Sequence, residues 1–271
     1  MAGHIISRYL DSTGKYEIIK VDHSKYDKNI INLDVTEKKA LEELIEKLKP
    51  NIVINAIGIL VKDSDSNPLN AIYLNSYFPH QLSYLGNKFN FKLIHLSTDC
   101  VFSGNEGGYV ENSFKDGVGM YEQSKSLGEI KNKKDLTIRM SIIGPELNEN
   151  GTGLMNWVLK QTGTIYGYNN VYWTGVTTLE LAKGIDAAID QNITSLYHLI
   201  PDEKISKFDL LNLIKEVFNL SLEILKNEKP KHDKSLINTR EDFNYNVKNY
   251  REMLVDLKNW MSNWDYNHYN L

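Results

Sequence analysis

One cysteine, Cys100, stands in a chain of 271 residues, so no internal disulfide is available and a reducing, cytoplasmic setting is expected. No apolar run reaches the ~18 residues of a membrane-spanning helix, and no membrane partner is expected. The first residues lack the basic stretch and cleavage site of a signal peptide. Positive charge is not in excess: 31 Lys and Arg face 35 Asp and Glu, giving a net charge of -4, so no nucleic-acid partner is expected. The 7 histidines show no metal-ligand spacing, and no metal is expected. Internal repeats and low-complexity linkers are absent. What remains is an ordinary globular composition, 41% hydrophobic and 24% charged, sized for one large α/β domain or a core with a small cap.

Within it, short β-rich runs alternate with longer helical ones. Residues 16–21, YEIIKV, read as a strand. In residues 37–49, Leu41, Leu44, Ile45 and Leu48 recur at helical spacing, with Thr36 the expected N-cap and Pro50 the stop. Strands are expected in 51–58 and 92–99, a long helix in 68–89, a helix in 120–131 and a strand in 135–143. This alternation predicts the fold class: α/β, a Rossmann-type doubly wound parallel sheet. Ligands of such sheets sit at the carboxyl ends of the strands. That rule gathers Asp22, residues 55–58, 97–102 and 141–144 around one crevice. Beyond Gly144 the regularity breaks down into a polar loop, a short helix in 154–161, and a helix capped by Thr177 or Thr178. A strand in 195–200, a helix capped by Ser206 and an amphipathic helix in 247–264 follow. The expected organisation is a dinucleotide-binding core, 1–144, and a smaller substrate-binding lobe, 145–271, interleaved with it.

The strongest chemical signal is STDCVFSG followed by GMYEQSK. Tyr121 and Lys125 are four residues apart on an expected helix, so both side chains share one face. An ammonium near a phenol favours the phenolate and is expected to lower the Tyr121 pKa. Such a tyrosine can give a proton to a carbonyl oxygen near neutral pH. Ser97 and Thr98 close the preceding strand, where a hydroxyl can hold the same oxygen as charge develops. These groups handle the proton and the oxyanion of a ketone reduction, and a nicotinamide cofactor must supply the hydride.

With these residues in place the chain resembles the extended short-chain dehydrogenases/reductases, and among them the dTDP-4-dehydrorhamnose reductase-like sugar-nucleotide reductases. NLDVTE, NAIG, LNSYFPHQLS, HLSTDCVFSG and YEQSKSLGE resemble that family's blocks, in its order, over nearly the whole chain. The resemblance implies reduction, with NADH or NADPH, of the 4-keto group of a nucleotide-linked 4-keto-6-deoxy sugar in surface polysaccharide synthesis. It implies Tyr121 as proton donor, Lys125 as the residue that lowers its pKa and holds the nicotinamide ribose, and Thr98 as the group polarising the carbonyl. It also implies a cofactor cleft lined by Gly3, His4, Asp34, Val35, Ala56, Ile57, Gly58, Asn75 and Ser97. Substrate contacts are expected from Asp99, Val101, Phe102, Asn156, Trp157, Trp173 and Arg240, the last as diphosphate ligand because its fork matches phosphate oxygens. A nucleotide-sugar is the expected partner, and a homodimer is a further expectation. Two other readings stand beside this one: a nucleotide-sugar epimerase of the same superfamily, and a non-catalytic regulatory subunit that keeps the fold.

Single positions refine the picture. Asp22 follows the strand of residues 16–21 about 20 residues after a glycine turn, where an acid meets the ribose 2'-OH of NAD, so NAD is slightly favoured. Lys20, His23 and Lys25 nearby could serve a 2'-phosphate instead. Cys100 stands where related dehydratases carry a glutamate, which argues against dehydration, and it is expected to be a packed residue. Arg139, His95 and His198 are expected to be structural. Glu122 replaces the family's usual glycine without an evident reason. Finally, MAGHIISRYL looks like the back end of a dinucleotide-binding fingerprint, with the first strand and two earlier glycines not in the sequence. The expected reason is a start upstream of Met1; the alternative is a truncated chain that binds cofactor poorly.

Overall fold

In the computed structural model, which describes residues 1–23, 29–264, 266 and 268–269, the chain starts directly in a helix, α1 (Ala2–Ser12). Ile5, Ile6 and Leu10 are buried on its inner face. Two short strands follow, β1 (Lys20–Asp22) and β2 (Ile30–Asn32), paired in parallel. Lys25 lies outside the described residues. Next come α2 (Lys38–Leu48), β3 (Ile52–Asn55), α3 (Val61–Ser66), α4 (Pro68–Ala71), α5 (Phe78–Phe89) and β4 (Lys92–Thr98). Then α6 (Met120–Leu127), β5 (Leu136–Ile143), α7 (Leu154–Val158), β6 (Gly163–Tyr168), β7 (Val171–Trp173), β8 (Gly175–Thr177), α8 (Thr178–Asp190) and β9 (Ser195–His198). The chain closes with β10 (Ile205–Ser206), α9 (Lys207–Phe218), β11 (Leu222–Asn227), β12 (His232–Asp233) and α10 (Tyr250–Met261).

The main sheet is parallel and runs β3-β4-β5, after which β5 has two neighbours on its next edge. Residues Leu136 to Arg139 of β5 pair with β9, and Ser141 to Ile143 pair with β8. Both segments come from beyond Gly144, so the second half of the chain completes the sheet begun by the first. Helices cover its faces, as a parallel sheet requires. One large hydrophobic cluster joins α1, β4, β5, α8, α9 and α10, and a smaller one packs α2 and α5 around Leu93 of β4. The β1–β2 ladder does not join this sheet: among the described residues β3 pairs with β4 alone. β6 with β11, and β7 with β10 and β12, form two small separate ladders that the sequence pattern did not reveal.

Local chemistry explains most boundaries. Thr177 and Ser206 cap α8 and α9, accepting the backbone N–H of Glu180 at 3.2 Å and Asp209 at 3.0 Å. Thr36 does not cap α2: its hydroxyl is drawn back to Asp34 at 2.8 Å, and Glu37 takes the N-cap position without a side-chain bond. The long helix of residues 68–89 is interrupted by a widened π-helical turn at Ile72–Tyr77. Pro79 is the cause: its missing N–H would have bonded the carbonyl of Asn75, and its ring crowds that oxygen.

Candidate active site

The site grows from the carboxyl end of β4. Thr98 is the last residue of that strand. Its Oγ1 accepts the Cys100 N–H at 3.2 Å and reaches Asp99 Oδ1 at 3.2 Å. Tyr121, on the first turn of α6, presents its phenol to the Thr98 hydroxyl. Lys125, one turn on, is buried and donates to the Leu96 carbonyl at 2.6 Å. Ser97 donates to Glu129 Oε1 at 2.7 Å. Thr98, Tyr121, Lys125 and Ser97 thus meet where β4 abuts α6.

One expectation about this group is corrected. The Tyr121 pKa is not lowered. Burial first, then Cys100, Asp99 and Glu122, push it well above its usual value, against the hydrogen bond from Thr98. Lys125 is itself lowered to about 8 by burial, partly offset by the charge of Glu129, and its ammonium turns to Leu96. In this arrangement Tyr121 is a neutral phenol with its proton in place. Glu122, unexplained by sequence, folds back over Gly117 and Gly119: a methyl on Gly119 would lie 2.1 Å from its Oε2. As the acidic residue in the first turn of α6 it complements the helix dipole.

The residues expected to line the cofactor cleft are organised around Asn75. The widened turn aims its buried side chain at residue 59: Oδ1 accepts the Ile59 N–H at 2.9 Å, and Nδ2 reaches the Ile59 carbonyl and Ser124 Oγ, each at 3.1 Å. Asn75 therefore pins the loop of Ala56, Ile57 and Gly58 to α6 rather than lining a cleft by itself. Gly128 permits the fit, since a methyl there would fall 1.9 Å from the Asn75 carbonyl. Gly3, in the first turn of α1, faces Ala56. Asp34 and Val35 follow β2, with the Asp34 carboxylate bonded to Thr36 and held below its ordinary pKa by that backbone bond. Asp22 ends β1 and lies 3.0 Å from the His23 ring. His4 departs from expectation: its Nε2 is 2.9 Å from the Tyr266 hydroxyl, and burial lowers its pKa to about 3. It is a neutral packing residue, not a cofactor ligand.

A nicotinamide nucleotide fits these residues. The Lys125 ammonium has one acceptor for three donors, the α1 N-terminus carries no side-chain cap and no acid in its first turn, and the pinned loop lies beside Gly3.

Several substrate expectations are corrected. Val101 and Phe102 are 0% exposed; Phe102 stacks on Tyr109 at 4.2 Å, so both are core residues beneath the site. Trp173 is 3% exposed and packs on Tyr250, which removes it from base or sugar stacking. Arg240 has no fork to offer a diphosphate. Its guanidinium grips Asp242 and donates to the carbonyls of Thr194 at 2.6 Å and Leu196 at 2.9 Å. Those carbonyls lie at the amino-terminal end of β9, Thr194 just before the strand and Leu196 within it, away from the carboxyl end of the sheet where Thr98 sits. Asn156 is buried and holds the loop of Glu149 and Gly151. Trp157 is 41% exposed on α7, and Asp99 is buried beside Thr98 with its pKa raised by that burial. Cys100 is largely buried, and its thiol is pushed up to about 12, an inert state.

Two features escaped sequence reasoning. Glu129 anchors a buried network: Arg139 binds it through Nε and Nη2, each at 2.7 Å, Lys115 approaches at 3.1 Å, and Arg139 Nη1 meets His198 Nε2 at 2.8 Å. His198 is lowered to about 4, by burial and then by Arg139, so it is neutral and its Nδ1 donates to the Ile237 carbonyl at 2.8 Å. The four-residue spacing from Lys125 to Glu129 was the available signal. The second is Lys207 at the start of α9, for which no signal existed. Among the described residues no group of His, Cys, Asp and Glu could hold a metal ion, and no helix is long and apolar enough to cross a membrane.

A parallel α/β sheet with a tyrosine, a lysine and a threonine gathered beyond one strand end defines the short-chain dehydrogenase/reductase class. Within it, the sequence profile described as the RmlD substrate binding domain matches residues 6–239, and the chain belongs to that family. The chain is 30% identical over 129 residues to a dTDP-4-dehydrorhamnose reductase of Aggregatibacter actinomycetemcomitans, an alignment spanning 47% of this chain and 42% of that protein. It is 25% identical over 241 residues to a probable low-salt glycan biosynthesis reductase, Agl14, of Haloferax volcanii, spanning 80% and 77%. Among solved structures it is similar to dTDP-4-dehydrorhamnose reductase from Bacillus anthracis in complex with NADP. There the TM-score is 0.81 at 19% identity, over 96% of this chain and 95% of that one.

Proposed function

We propose that this chain reduces the 4-keto group of a nucleotide-linked 4-keto-6-deoxy sugar with NADH or NADPH, as a dTDP-4-dehydrorhamnose reductase-like enzyme of surface polysaccharide synthesis. The observation that carries the reading is the meeting of Tyr121 and Thr98 hydroxyls beside the buried Lys125, in a chain of this family. Residues 1–144 are assigned to the cofactor and residues 145–271 to the nucleotide-sugar. The Thr98 hydroxyl donates to the substrate carbonyl oxygen and holds it as negative charge grows. Tyr121, an un-ionised phenol at neutral pH, gives its phenolic proton to that oxygen. Lys125 would lie against the nicotinamide ribose, where sugar hydroxyls complete the hydrogen bonds its ammonium lacks. The bound nicotinamide nucleotide supplies the hydride. Asp22, with its carboxylate at the end of β1, supports a modest preference for NAD.

The test is to mix purified protein, NADH or NADPH and a panel of such keto sugars, and to follow absorbance with product identification. Cofactor consumption with a reduced C4 is expected, and Tyr121→Phe should lower the rate by about 10²–10⁴-fold with the fold intact. A rate unchanged in Tyr121→Phe would refute the mechanism. A changed sugar without net cofactor consumption would identify an epimerase instead.

A further inference from the structure

Lys207 has few partners for a lysine that is not fully exposed. It is the first residue of α9, directly behind the Ser206 cap. The two residues before it form β10, whose Ile205 pairs with Trp173 and whose Ser206 pairs with Tyr172. Its Nζ sits 4.6 Å from the centre of the Trp173 ring, which walls off one side. The titratable groups it faces are Asp99 and Cys100, the two residues that follow Thr98. Burial lowers its pKa to about 8, against the pull of those two neighbours. Among the described residues its ammonium forms no hydrogen bond and no ion pair. A half-buried ammonium with three donors and no protein acceptor has hydrogen-bonding capacity that a ligand could take up.

We infer that Lys207 binds the sugar ring of the nucleotide-sugar, donating to a hydroxyl next to the reacting carbon, with Asp99 accepting from the same or the adjacent hydroxyl. This rests on the reading under Proposed function. Three points support it. Lys207 and Tyr121 both lie within electrostatic reach of Asp99 and Cys100, which puts Lys207 near the proposed proton donor. Asp99 receives Thr98 Oγ1 at 3.2 Å and keeps acceptor sites to spare. A neutral hydroxyl can donate to Asp99 while accepting from Lys207, whereas a diphosphate in that place would lie against the Asp99 carboxylate. The second half of the chain thereby supplies a residue to the reacting centre itself, and discriminates among sugars by their ring hydroxyls.

The experiment is calorimetric titration of wild-type protein, Lys207→Met and Lys207→Gln with dTDP-glucose and UDP-glucose, and with dTDP and UDP alone. On whichever base the wild type binds, both variants should weaken the sugar nucleotide about 10–100-fold, the range of a hydrogen bond to a charged group, and the bare nucleotide less than about 2-fold. Matching circular dichroism and melting curves would show that both variants fold. Equal loss on sugar nucleotide and bare nucleotide would overturn the inference in favour of a phosphate contact. Unchanged binding in both variants would overturn it outright while leaving the proposed function standing. A wild type that binds none of these ligands removes the proposed function and this inference together.

Discussion

Lys125 is a charge that burial disfavours and few partners compensate. Its amine is lowered to about 8 because it is buried with a single carbonyl acceptor. Nucleotide binding that uses its charge should therefore weaken as pH rises past 8. Titration with NADH at pH 7 and pH 9 is expected to show a loss on the order of tenfold, absent in Lys125→Met. Stability follows the opposite course. Between about 8 and the ordinary lysine value near 10.4 the unfolded chain binds more protons at this position than the folded one, so this group makes stability rise with pH. The stability advantage of Lys125→Met over wild type should be largest below pH 8 and shrink above it, as measured by urea unfolding. Tyr121 carries the same lesson. Its spacing from Lys125 was readable in the sequence, but its pKa was not, because the burial that chiefly raises it, and the thiol and acids that add to it, come together only in the fold.

At the scale of elements, the widened turn at Ile72–Tyr77 is the device that fixes the loop of residues 56–59. Pro79 frees the Asn75 carbonyl, Gly128 lets α6 approach it, and the Asn75 side chain fixes residue 59. Gly128→Ala should lower stability by about 1–3 kcal/mol through overpacking, read as an earlier denaturation midpoint. The alternation of strands and helices was legible because parallel strands with crossover helices leave a period in the sequence, and the caps Thr177 and Ser206 were legible because their chemistry is local. The Thr36 cap misled because Asp34 competes for the same hydroxyl two residues away. Arg240 and Trp173 misled for a different reason: residue type announces what a side chain could bind, but Asp242, Thr194, Leu196 and Tyr250 had already engaged them. The small ladders of β6 with β11 and of β7 with β12 join segments some sixty residues apart, beyond any local pattern.

At the scale of the whole molecule, the Glu129–Arg139–His198 network ties β4, the end of α6, β5 and β9 to the segment at Ile237. Burial works against the Glu129 charge, but Arg139, Lys115 and Ser97 outweigh it and hold its pKa below the ordinary value. Its contribution to stability is thus present above the ordinary glutamate value of about 4.3 and lost as pH falls through the lower folded value. Arg139→Met alone should cost about 3–5 kcal/mol by stranding a buried carboxylate, and pairing it with Glu129→Gln should restore much of that, as judged by denaturant unfolding. The β1–β2 ladder stands at the other extreme. Six residues form it, and among the described residues no backbone pairing joins it to β3. Its amides should exchange with deuterium well before those of β4 and β5, without global unfolding. Because Asp22 sits at its end, the adenosine end of a bound nucleotide would rest on a separate cooperative unit, and binding there would slow that exchange selectively, so the ligand would act as a local folding partner for this corner of the molecule.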